Sequence, residues 1–529
     1  MIEPLLAQVR AEVTMRLRSP ATLVAILAFL GLAALWLPAP GGNAASLIWE
    51  TPDGRLYAPF YTSAYVGAAL AILMGVLLTL AGYYLVAGSV RRDRETGVGA
   101  ILAATPLPSW QYLLGKLLAH TAYLFVIAGT GFATGLVLWL IHGTGPFQPI
   151  AFFGPGLLVG IPALVFTAAM AVLFDVTPVL RTKAGFVAWF FFFALAVMAI
   201  PMETSGVDGP QNQRKVAPFD PSGLASYDVV LRASIPEEGR DKVSSGHVIV
   251  RKPITRVDWP GVTITGTFVS LRALTLLLPV AILGLAVLLF DRFDPARGGG
   301  LRKLLKRKTG AAPAEAVVLG PLDAISLASL SPIRATPSFP AAVLAETRLL
   351  WDSAPRLRWV LLLAALAAAF PSDTVPLSAA LVLLLVPALS ESAAREKLEG
   401  TMPLILGQPG VPRSLVIWKT CAAALFVLAL EVPSLVKLAV TQPLQIPAVL
   451  AGAVLTAAFA TAAGSLTGGG KLFSALFLVG WYVALNKMPA GDVTGLLVGG
   501  PGIGGFAFWL VTVGLLFAVA LLREGRDRS

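Results

Sequence analysis

The strongest pattern along the chain is a series of long apolar segments separated by short polar or charged ones. Most segments approach the ~20 apolar residues that a membrane-spanning helix needs. The first part of the chain predicts six spans: Ala21–Leu37, Ser63–Ser89, Trp110–Ile141, Ala151–Val176, Gly185–Ile200 and Leu271–Phe290. The second part predicts six more: Trp359–Phe370, Leu377–Ser390, Ser414–Val436, Ile446–Leu466, Leu472–Leu485 and Gly505–Leu522. We therefore expect an all-α polytopic membrane protein with about twelve spans.

Polar segments complete this outline. Amphipathic, charged stretches precede each set of spans, at Met1–Pro20 and Ala341–Arg358, and we expect interfacial elbow helices there that lie in the lipid–water boundary. Pro38–Phe60 is predicted to be a polar external loop. Residues 202–264 are polar and Pro-rich and are predicted to form a small external segment. Alternating polarity predicts short strands within it, at His247–Val250 and Val262–Thr267.

One charged segment between spans occurs twice. The first hairpin, Arg91–Ala119, reads RRDRETGVGAILAATPLPSWQYLLGKLLA, and the second hairpin, Lys397–Ala422, reads KLEGTMPLILGQPGVPRSLVIWKTCA. A constant shift of 303 positions aligns them without a gap and places these residues together: Arg94 with Lys397, Gly97 with Gly400, Leu102 with Ile405, Pro106 with Pro409 and Lys116 with Lys419. We interpret the repeat as two homologous six-helix halves, 1–290 and 341–529, joined by a basic linker at 291–340.

Each hairpin is expected to hold a short helix flat against the membrane surface. Pro disfavours helix in the residue before it, so Thr105–Pro106 should end the apolar piece Val98–Ala104, and Ser109 is placed to cap the next helix. Glu95 lies near a helix start, where the dipole favours an anion. A soluble partner that grips such a helix would move both attached spans. The alternative is an ordinary solvated loop, and the repetition favours the lever.

Composition and charge fix the class and the topology. The 529 residues are 56% hydrophobic and 13% charged, whereas soluble proteins are about a quarter charged. The net charge of +11 marks a cytosolic face rather than nucleic-acid binding, since Lys and Arg accumulate on that side. With both termini in the cytosol, the basic clusters at Arg91, Arg181, Arg302, Arg395 and Arg523 all fall there. The linker cluster would rest on anionic lipid, at about 1 kcal/mol per charge.

At the hairpins the chain resembles the permease subunit of an ATP-binding-cassette (ABC) transporter of the type II exporter family. Members commonly carry Arg-Glu, Gly, an apolar segment, Thr-Pro and then Gly-Lys. Here the first hairpin has Arg94-Glu95, Gly97, Ala100–Ala104, Thr105-Pro106 and Gly115-Lys116. The second hairpin keeps Glu399-Gly400-Thr401 and Pro409, but has Gln408 for the Thr and Trp418 before the Lys.

The resemblance implies a function and a set of partners. The hairpins would be coupling helices that dock two separate ABC ATPase subunits through Arg94, Glu95, Gly97, Ile101, Leu102, Thr105, Pro106, Lys397, Glu399, Gly400, Ile405 and Pro409. Those partners would use ATP and Mg, and this chain would bind no cofactor. The substrate, which the sequence does not identify, would move outward across a plasma membrane, the inner membrane in a bacterium. Residues 220–225, DPSGLA, also resemble a DPFG-like segment of large bacterial permeases, with Ser222 as a departure.

Other candidate chemistry is sparse, and we expect no catalytic residue or metal site in this chain. Gly468–Lys471 resembles a phosphate loop only faintly, because Leu472 replaces Ser or Thr, and it is predicted to be a cytosolic turn. Glu431, within the ninth span, is a pathway or gate candidate, although a structural role is favoured. Asp175 is expected to be a solvated anchor. A non-transporting membrane scaffold or sensor coupled to an ATPase, and a membrane-embedded enzyme, are the alternative functions.

Overall fold

The computed structural model describes residues 2–178, 180–181, 184–206, 215–217, 219–250, 252–293, 338–352, 386, 388–390, 392–406, 415–485 and 502–528. Within these ranges the protein is mostly helical. Seven helices are long and apolar enough to cross a membrane, and a bent pair of helices at the start of the chain is an eighth candidate. The chain is therefore a polytopic membrane protein. Residues 359–370, most of 377–390 and most of the linker, including 294–337, lie outside the described ranges.

The first part of the chain contains thirteen described α-helices and four strands. The helices are α1 Ile2–Leu17, α2 Pro20–Trp36, α3 Ser63–Leu73, α4 Thr79–Val86, α5 Ser89–Glu95, α6 Val98–Ala104, α7 Ser109–His142, α8 Pro149–Val176, α9 Ala184–Phe192, α10 Ile200–Thr204, α11 Leu224–Ala233, α12 Gly266–Thr275 and α13 Leu277–Leu289. The strands are β1 Ala44–Glu50, β2 Leu56–Pro59, β3 Val243–Ile249 and β4 Ile254–Val257. Two π-helical turns, Met74–Leu78 and Phe193–Ala199, continue α3 and α9.

The second part contains seven described α-helices. They are α14 Phe339–Asp352, α15 Arg395–Leu398, α16 Met402–Leu406, α17 Leu415–Thr441, α18 Ile446–Thr467, α19 Lys471–Leu485 and α20 Gly502–Arg528. The predicted ninth and tenth spans correspond to α17 and α18, both of which contain membrane-length apolar segments. The predicted eleventh span coincides with the shorter apolar helix α19, and the predicted twelfth lies within α20.

The chain enters its first span through a sharp bend. The axes of Glu3–Leu17 and Pro20–Trp36 differ by 72°, which is the geometry expected of a surface helix followed by a span. Pro20 stands in the first turn of α2, where its missing amide hydrogen costs nothing because that N–H has no partner within the helix. The predicted boundary at Pro20 agrees with this bend.

The predicted external segment folds together with the first loop. The four strands form one sheet in the order β3-β1-β2-β4, in which β1 is antiparallel to β2 and β3 while β2 is parallel to β4. Pro38–Phe60, predicted to be a polar external loop, contains strands β1 and β2, which supply the centre of the sheet; the strands were not predicted, and the external location stays a prediction. Residues 262–265 are not a strand, since α12 begins at Gly266.

The two parts of the chain are packed against each other. Helix α19 lies along α4, and the rings of Phe190 and Trp481 meet edge to face with centroids 5.4 Å apart. Trp189 is fully buried, stacks on Tyr83 at 4.6 Å and donates its indole N–H to the Leu80 carbonyl. These contacts place the end of the second span beside the second part of the chain, next to the first hairpin.

Candidate functional site

The first hairpin consists of two short helices joined by a left-handed glycine. Helix α5 ends at Glu95, Gly97 adopts φ of 77°, and α6 covers Val98–Ala104, the apolar piece predicted from the sequence. A Cβ on Gly97 would meet no atom within 4 Å, so backbone conformation and not crowding favours glycine there. The predicted capping role of Ser109 was wrong. Pro108 precedes α7 and Ser109 is its first residue, without a side-chain cap.

The second hairpin repeats this geometry where the structure describes it. Helix α15 is followed by Gly400 with φ of 70° and then by α16. Gly400 also has open space around its Cβ position. The shift of 303 positions therefore joins two glycines with the same unusual backbone conformation. Pro409 lies outside the described residues.

A buried ion-pair cluster connects the first hairpin to the elbow helix and the third span. We define the first cluster as Glu12 of α1, Arg92 and Asp93 of α5, and Lys116 of α7. The Lys116 ammonium lies 2.9 Å from the Glu12 carboxylate and 2.7 Å from Asp93. Arg92 reaches the same Glu12 carboxylate at 2.7 Å. Three separate helices are thus held at one point by charges that are costly to separate once buried.

A second cluster has the same composition. It comprises Glu346 of α14, Arg395 and Glu396 of α15, and Lys419 of α17. The Lys419 ammonium lies 3.3 Å from Glu346 and 2.7 Å from Glu396, and Arg395 lies 3.6 Å from Glu346. The shift of 303 maps Arg92, Asp93 and Lys116 onto Arg395, Glu396 and Lys419. The lysines were paired in the predicted repeat, whereas the acids Asp93 and Glu396, which the same shift pairs, were not predicted.

The elbow helix also contacts the end of the second span. The Arg16 guanidinium donates to the carbonyls of Leu85 and Val86 at 2.8 and 3.0 Å, where α4 leaves its last carbonyls without helical partners. Burial raises the pKa of the Glu12 carboxyl, but Lys116, Arg16 and Arg92 lower it more, so that the pKa lies well below its usual range. Glu12 is therefore held as a carboxylate among three cations.

The two hairpins expose a large apolar side chain at one matching position. Ile101 and Leu404, which correspond under the shift of 303, are 69% and 70% exposed. Leu102 is half-buried and packs into a cluster that includes Tyr112 and Val90, and Ile405 is half-buried. Of the two apolar docking residues predicted in the first hairpin, Ile101 points outward and Leu102 points inward.

Some polar side chains of the first hairpin are fixed by hydrogen bonds, and others are exposed. The Arg94 guanidinium makes two hydrogen bonds to the Asp291 carboxylate, at 2.7 and 3.0 Å, and lies over the Phe293 ring. The Thr105 hydroxyl donates to the Leu102 carbonyl. Glu95 is exposed and lies 3.5 Å from Arg91. Pro106 is exposed, as are three residues of the second hairpin: Lys397, Glu399 and Gly400.

Asp175 is a structural residue of the first hairpin. The prediction of a solvated anchor was wrong, because its carboxylate is buried and accepts hydrogen bonds from the amides of Gly88 and Val90 at 2.6 and 3.0 Å. The Ser89 hydroxyl contacts it at 3.4 Å. The start of α5 leaves amide hydrogens that need an acceptor, and the end of the fourth span supplies one. Residues 87–88 form the bend between α4 and α5.

Glu431, the pathway candidate, lies in the middle third of α17 and is 3% exposed. The carboxylate is thus inside the helix bundle and does not face the lipid. Among the described residues, no group of three or more His, Cys, Asp or Glu side chains could hold a metal ion.

The DPSG segment forms a clamp between spans on the side of the β-sheet. The Asp220 carboxylate accepts from the Ser222 hydroxyl and from the amides of Gly223 and Ser226 at 2.8–3.0 Å, and so caps α11. The Val197 carbonyl lies 3.3 Å from the same Ser222 oxygen and shares its single hydrogen with Asp220. Pro201, four residues after Val197, cannot supply the usual helical hydrogen bond.

Arg272 completes this clamp from the sixth span. Its buried guanidinium donates to the carbonyls of Asp220 at 2.6 Å, Leu158 at 3.2 Å and Val159 at 3.3 Å. Pro162 cannot donate to Leu158, so the arginine supplies a donor where the fourth span lacks one. The resemblance to a DPFG-like segment pointed to these residues, but the role of Arg272 had no sequence signal.

A comparison with protein families supplies the identification. A model of ABC-2 family transporter proteins matches residues 7–295, which is more than half of the chain. The chain belongs to the ABC-2 transporter family. The match covers most of α1, the first hairpin, the membrane-length apolar helices of the first part and the clamp, and it ends just after Phe293. No curated protein and no solved structure matches the chain.

Membership of the ABC-2 family establishes the general role. The chain is a permease, the membrane-embedded subunit of an ABC transporter, and permeases of this family normally pair with ATPase subunits. The multi-pass helical structure agrees with that role.

Proposed function

We propose that this ABC-2 permease contains both transmembrane halves of its transporter in one chain. Residues 1–290 and 341–529 form six-span halves, with about twelve spans in total, joined by the basic linker 291–340. Both termini lie in the cytosol, and the protein resides in the plasma membrane, the inner membrane in a bacterium. Two separate ATPase subunits, using Mg and ATP, dock on the two hairpins and drive export of a substrate. The chain itself binds membrane lipid and no nucleic acid or cofactor.

The observation that carries this proposal is the matched pair of ion-pair clusters. Each cluster joins an elbow helix, a hairpin and the span that follows it, and each lies behind an outward-facing apolar side chain, Ile101 or Leu404. A load applied to that side chain is transmitted through a short helix to buried charges on two further helices. Because packed interiors resist deformation, this arrangement is suited to moving spans as rigid bodies.

The docking residues have different parts in this proposal. Ile101, Leu404 and the exposed Glu95 and Glu399 contact the ATPase, and Gly97 and Gly400 set the angle between the short helices. Arg94 positions the first hairpin through Asp291. The remaining members, Leu102, Thr105, Pro106, Lys397, Ile405 and Pro409, shape the docking surface or its ends. Glu431 is the candidate pathway carboxylate, since buried carboxylates within membranes are usually functional.

The experiment is co-purification of the tagged chain with its ATPase, followed by ATPase assays in liposomes. Glu95→Arg and Gly97→Pro should leave membrane insertion intact and reduce ATPase binding or stimulation by about tenfold, since Gly97 requires a left-handed conformation that proline cannot adopt. Glu237→Arg is the matched control, because Glu237 is also highly exposed but lies in the lobe that contains the β-sheet.

Three outcomes would count against the proposal. Unchanged coupling in both hairpin variants would contradict the docking assignment. ATPase activity without substrate movement in liposomes would favour the scaffold or sensor alternative. Turnover of a substrate by the purified chain without any ATPase would favour a membrane-embedded enzyme.

A further inference from the structure

The glycine turn Gly468–Gly470, with Lys471 after it, is not explained by the docking proposal. It connects α18 to α19, as the sequence predicted for this stretch, and Gly468 has φ of 65°. Lys471 is the first residue of α19, and its ammonium donates a hydrogen bond to the carbonyl of Ala87. Ala87 follows the last residue of α4, 384 positions earlier in the chain. This hydrogen bond joins the second part of the chain to the bend that begins the first hairpin.

The position of Lys471 within its own helix gives it no local purpose. The start of a helix carries partial positive charge, so a cation there is unfavourable. The carbonyls at the end of another helix are favourable partners for a cation, and the end of α4 provides one. The lysine is therefore better explained by the first hairpin than by the helix to which it belongs.

The Lys471 side chain packs closely against the bend at residues 87–88. A Cβ on Gly88, which has φ of 81°, would lie 2.9 Å from the Lys471 ammonium and 3.8 Å from the Arg91 guanidinium. Asp175 caps the other side of the same bend through the amides of Gly88 and Val90. The bend is thus held by Asp175 from the first part of the chain and by Lys471 from the second.

The same turn also contacts the second hairpin. A Cβ on Gly468 would lie 3.5–3.8 Å from three side-chain atoms of Lys397. A Cβ on Gly470 would lie 2.7 Å from the carbonyl oxygen of Ser390, which precedes α15. The turn therefore lies between the two hairpins and touches both.

We infer that residues 468–471 are a mechanical link between the two hairpins, and that Lys471 is its positioning residue. This inference rests on the proposed function, in which each hairpin receives its own ATPase subunit. Movement of one hairpin changes the bend at residues 87–88 or the packing against Lys397, and the turn passes that movement to the other hairpin. The two docking sites then move together even when only one is loaded.

The test measures the distance between the hairpins directly. Spin labels are placed at Thr96 and Thr401, which are exposed on the two hairpins, in a Cys421→Ser background because Cys421 is the single cysteine. Double electron–electron resonance on the full chain in nanodiscs then gives the distance distribution for the parent, Lys471→Met, Lys471→Arg and Arg18→Met. The last variant removes an exposed positive charge immediately after α1, outside the turn and both hairpins.

Lys471→Met should raise the population of altered hairpin distances by about tenfold, which corresponds to 1.4 kcal/mol. Lys471→Arg should restore much of the parent distribution, and Arg18→Met should leave it unchanged. If the Met variant is not recovered, Lys471→Gln keeps a donor without the charge and should broaden the distribution to a smaller extent. A parent-like distribution in the Met or Gln variant, or equal broadening in Arg18→Met, would overturn the inference. Failure of the parent to bind an ATPase would refute the proposed function and leave this distance result standing.

Discussion

Both hairpins are held by an ion-pair cluster, but the elements that pack against their short helices differ. The first hairpin rests on the end of the sixth span. Arg94 pairs with Asp291, a Cβ on Gly99 would lie 2.6 Å from the Phe293 ring, and the Arg292 guanidinium donates to the Thr105 carbonyl at 2.7 Å. This support leaves little space for the first hairpin to move independently of the sixth span.

The second hairpin has a cavity behind it. A space of about 350 Å³ lies between α15, α16 and the helices α17, α18 and α20, lined by residues that include Lys397, Gly400, Met402 and Arg523. Helix α20 contributes Glu524, which accepts hydrogen bonds from the first amides of α17. The common cluster therefore fixes the position at which each hairpin starts, whereas the movement that remains possible depends on the elements packed against its short helices. We expect the first hairpin to move with the sixth span, whereas the second hairpin depends more on its ion-pair cluster and on its contact with the turn 468–471.

The largest effect should come from removing the lysine at the centre of each cluster. The loss of stability should differ between the two clusters, because their carboxylates keep different cationic partners. Lys419→Met leaves Glu346 with Arg395 at 3.6 Å, and one Glu396 oxygen already has no hydrogen-bond partner. We expect a loss of about 3–5 kcal/mol, as is typical when one partner of a buried pair is removed.

Lys116→Met should cost about 1–3 kcal/mol, because Glu12 keeps Arg16 and Arg92 as partners. Thermal unfolding of both variants in the same detergent measures the difference. A greater loss of stability for Lys116→Met would show that Arg16 and Arg92 do not compensate for the missing lysine.

An intermediate effect should come from the exposed apolar residues. Ile101→Asp and Leu404→Asp should each weaken ATPase binding by about tenfold without lowering the unfolding temperature, because these side chains are exposed until the partner covers them. Ile249→Asp is the matched control, since Ile249 is also 69% exposed but lies in β3. Binding is measured by titrating the purified ATPase. Equal losses in all three variants would contradict the proposed contact surface.

The smallest effect should distinguish the two basic residues that the sequence shift pairs. Arg94→Ala removes a partly buried, two-pronged contact with Asp291, whereas Lys397 is exposed. We expect Arg94→Ala to lower stability by about 1 kcal/mol and Lys397→Ala by less, since exposed charges contribute little. Asp291→Asn should reproduce the Arg94→Ala result. Equal unfolding temperatures for Arg94→Ala and Lys397→Ala would contradict the difference in support.

The sequence predicted the elements that local pattern controls. The spans of the first part, the elbow at Pro20, the helix Val98–Ala104 and the pairing of Gly97 with Gly400 all follow from hydrophobicity, proline and the repeat, whereas the left-handed conformation of these glycines was not predicted. It could not predict contacts between distant segments. Asp175 resembles a surface anchor in the sequence, because its contact with the start of α5 is not visible there. Strands β1 and β2 are short and lie in a polar segment, and the strands that pair with them come about 200 residues later. The identity of the Lys471 partner was hidden for the same reason.

The clamp built from Asp220, Ser222 and Arg272 has a consequence for the movement of the spans that it joins. Arg272 donates to the Leu158 carbonyl, which Pro162 cannot serve. Ser222 donates to the Val197 carbonyl in the π-helical turn before Pro201. A small tilt of either span stretches these bonds without providing a substitute in the dry interior, where a bare carbonyl costs about 1–3 kcal/mol. A partly opened clamp would therefore have a higher free energy than either the closed or the fully opened one. The spans joined by this clamp should therefore move between discrete arrangements and not tilt gradually.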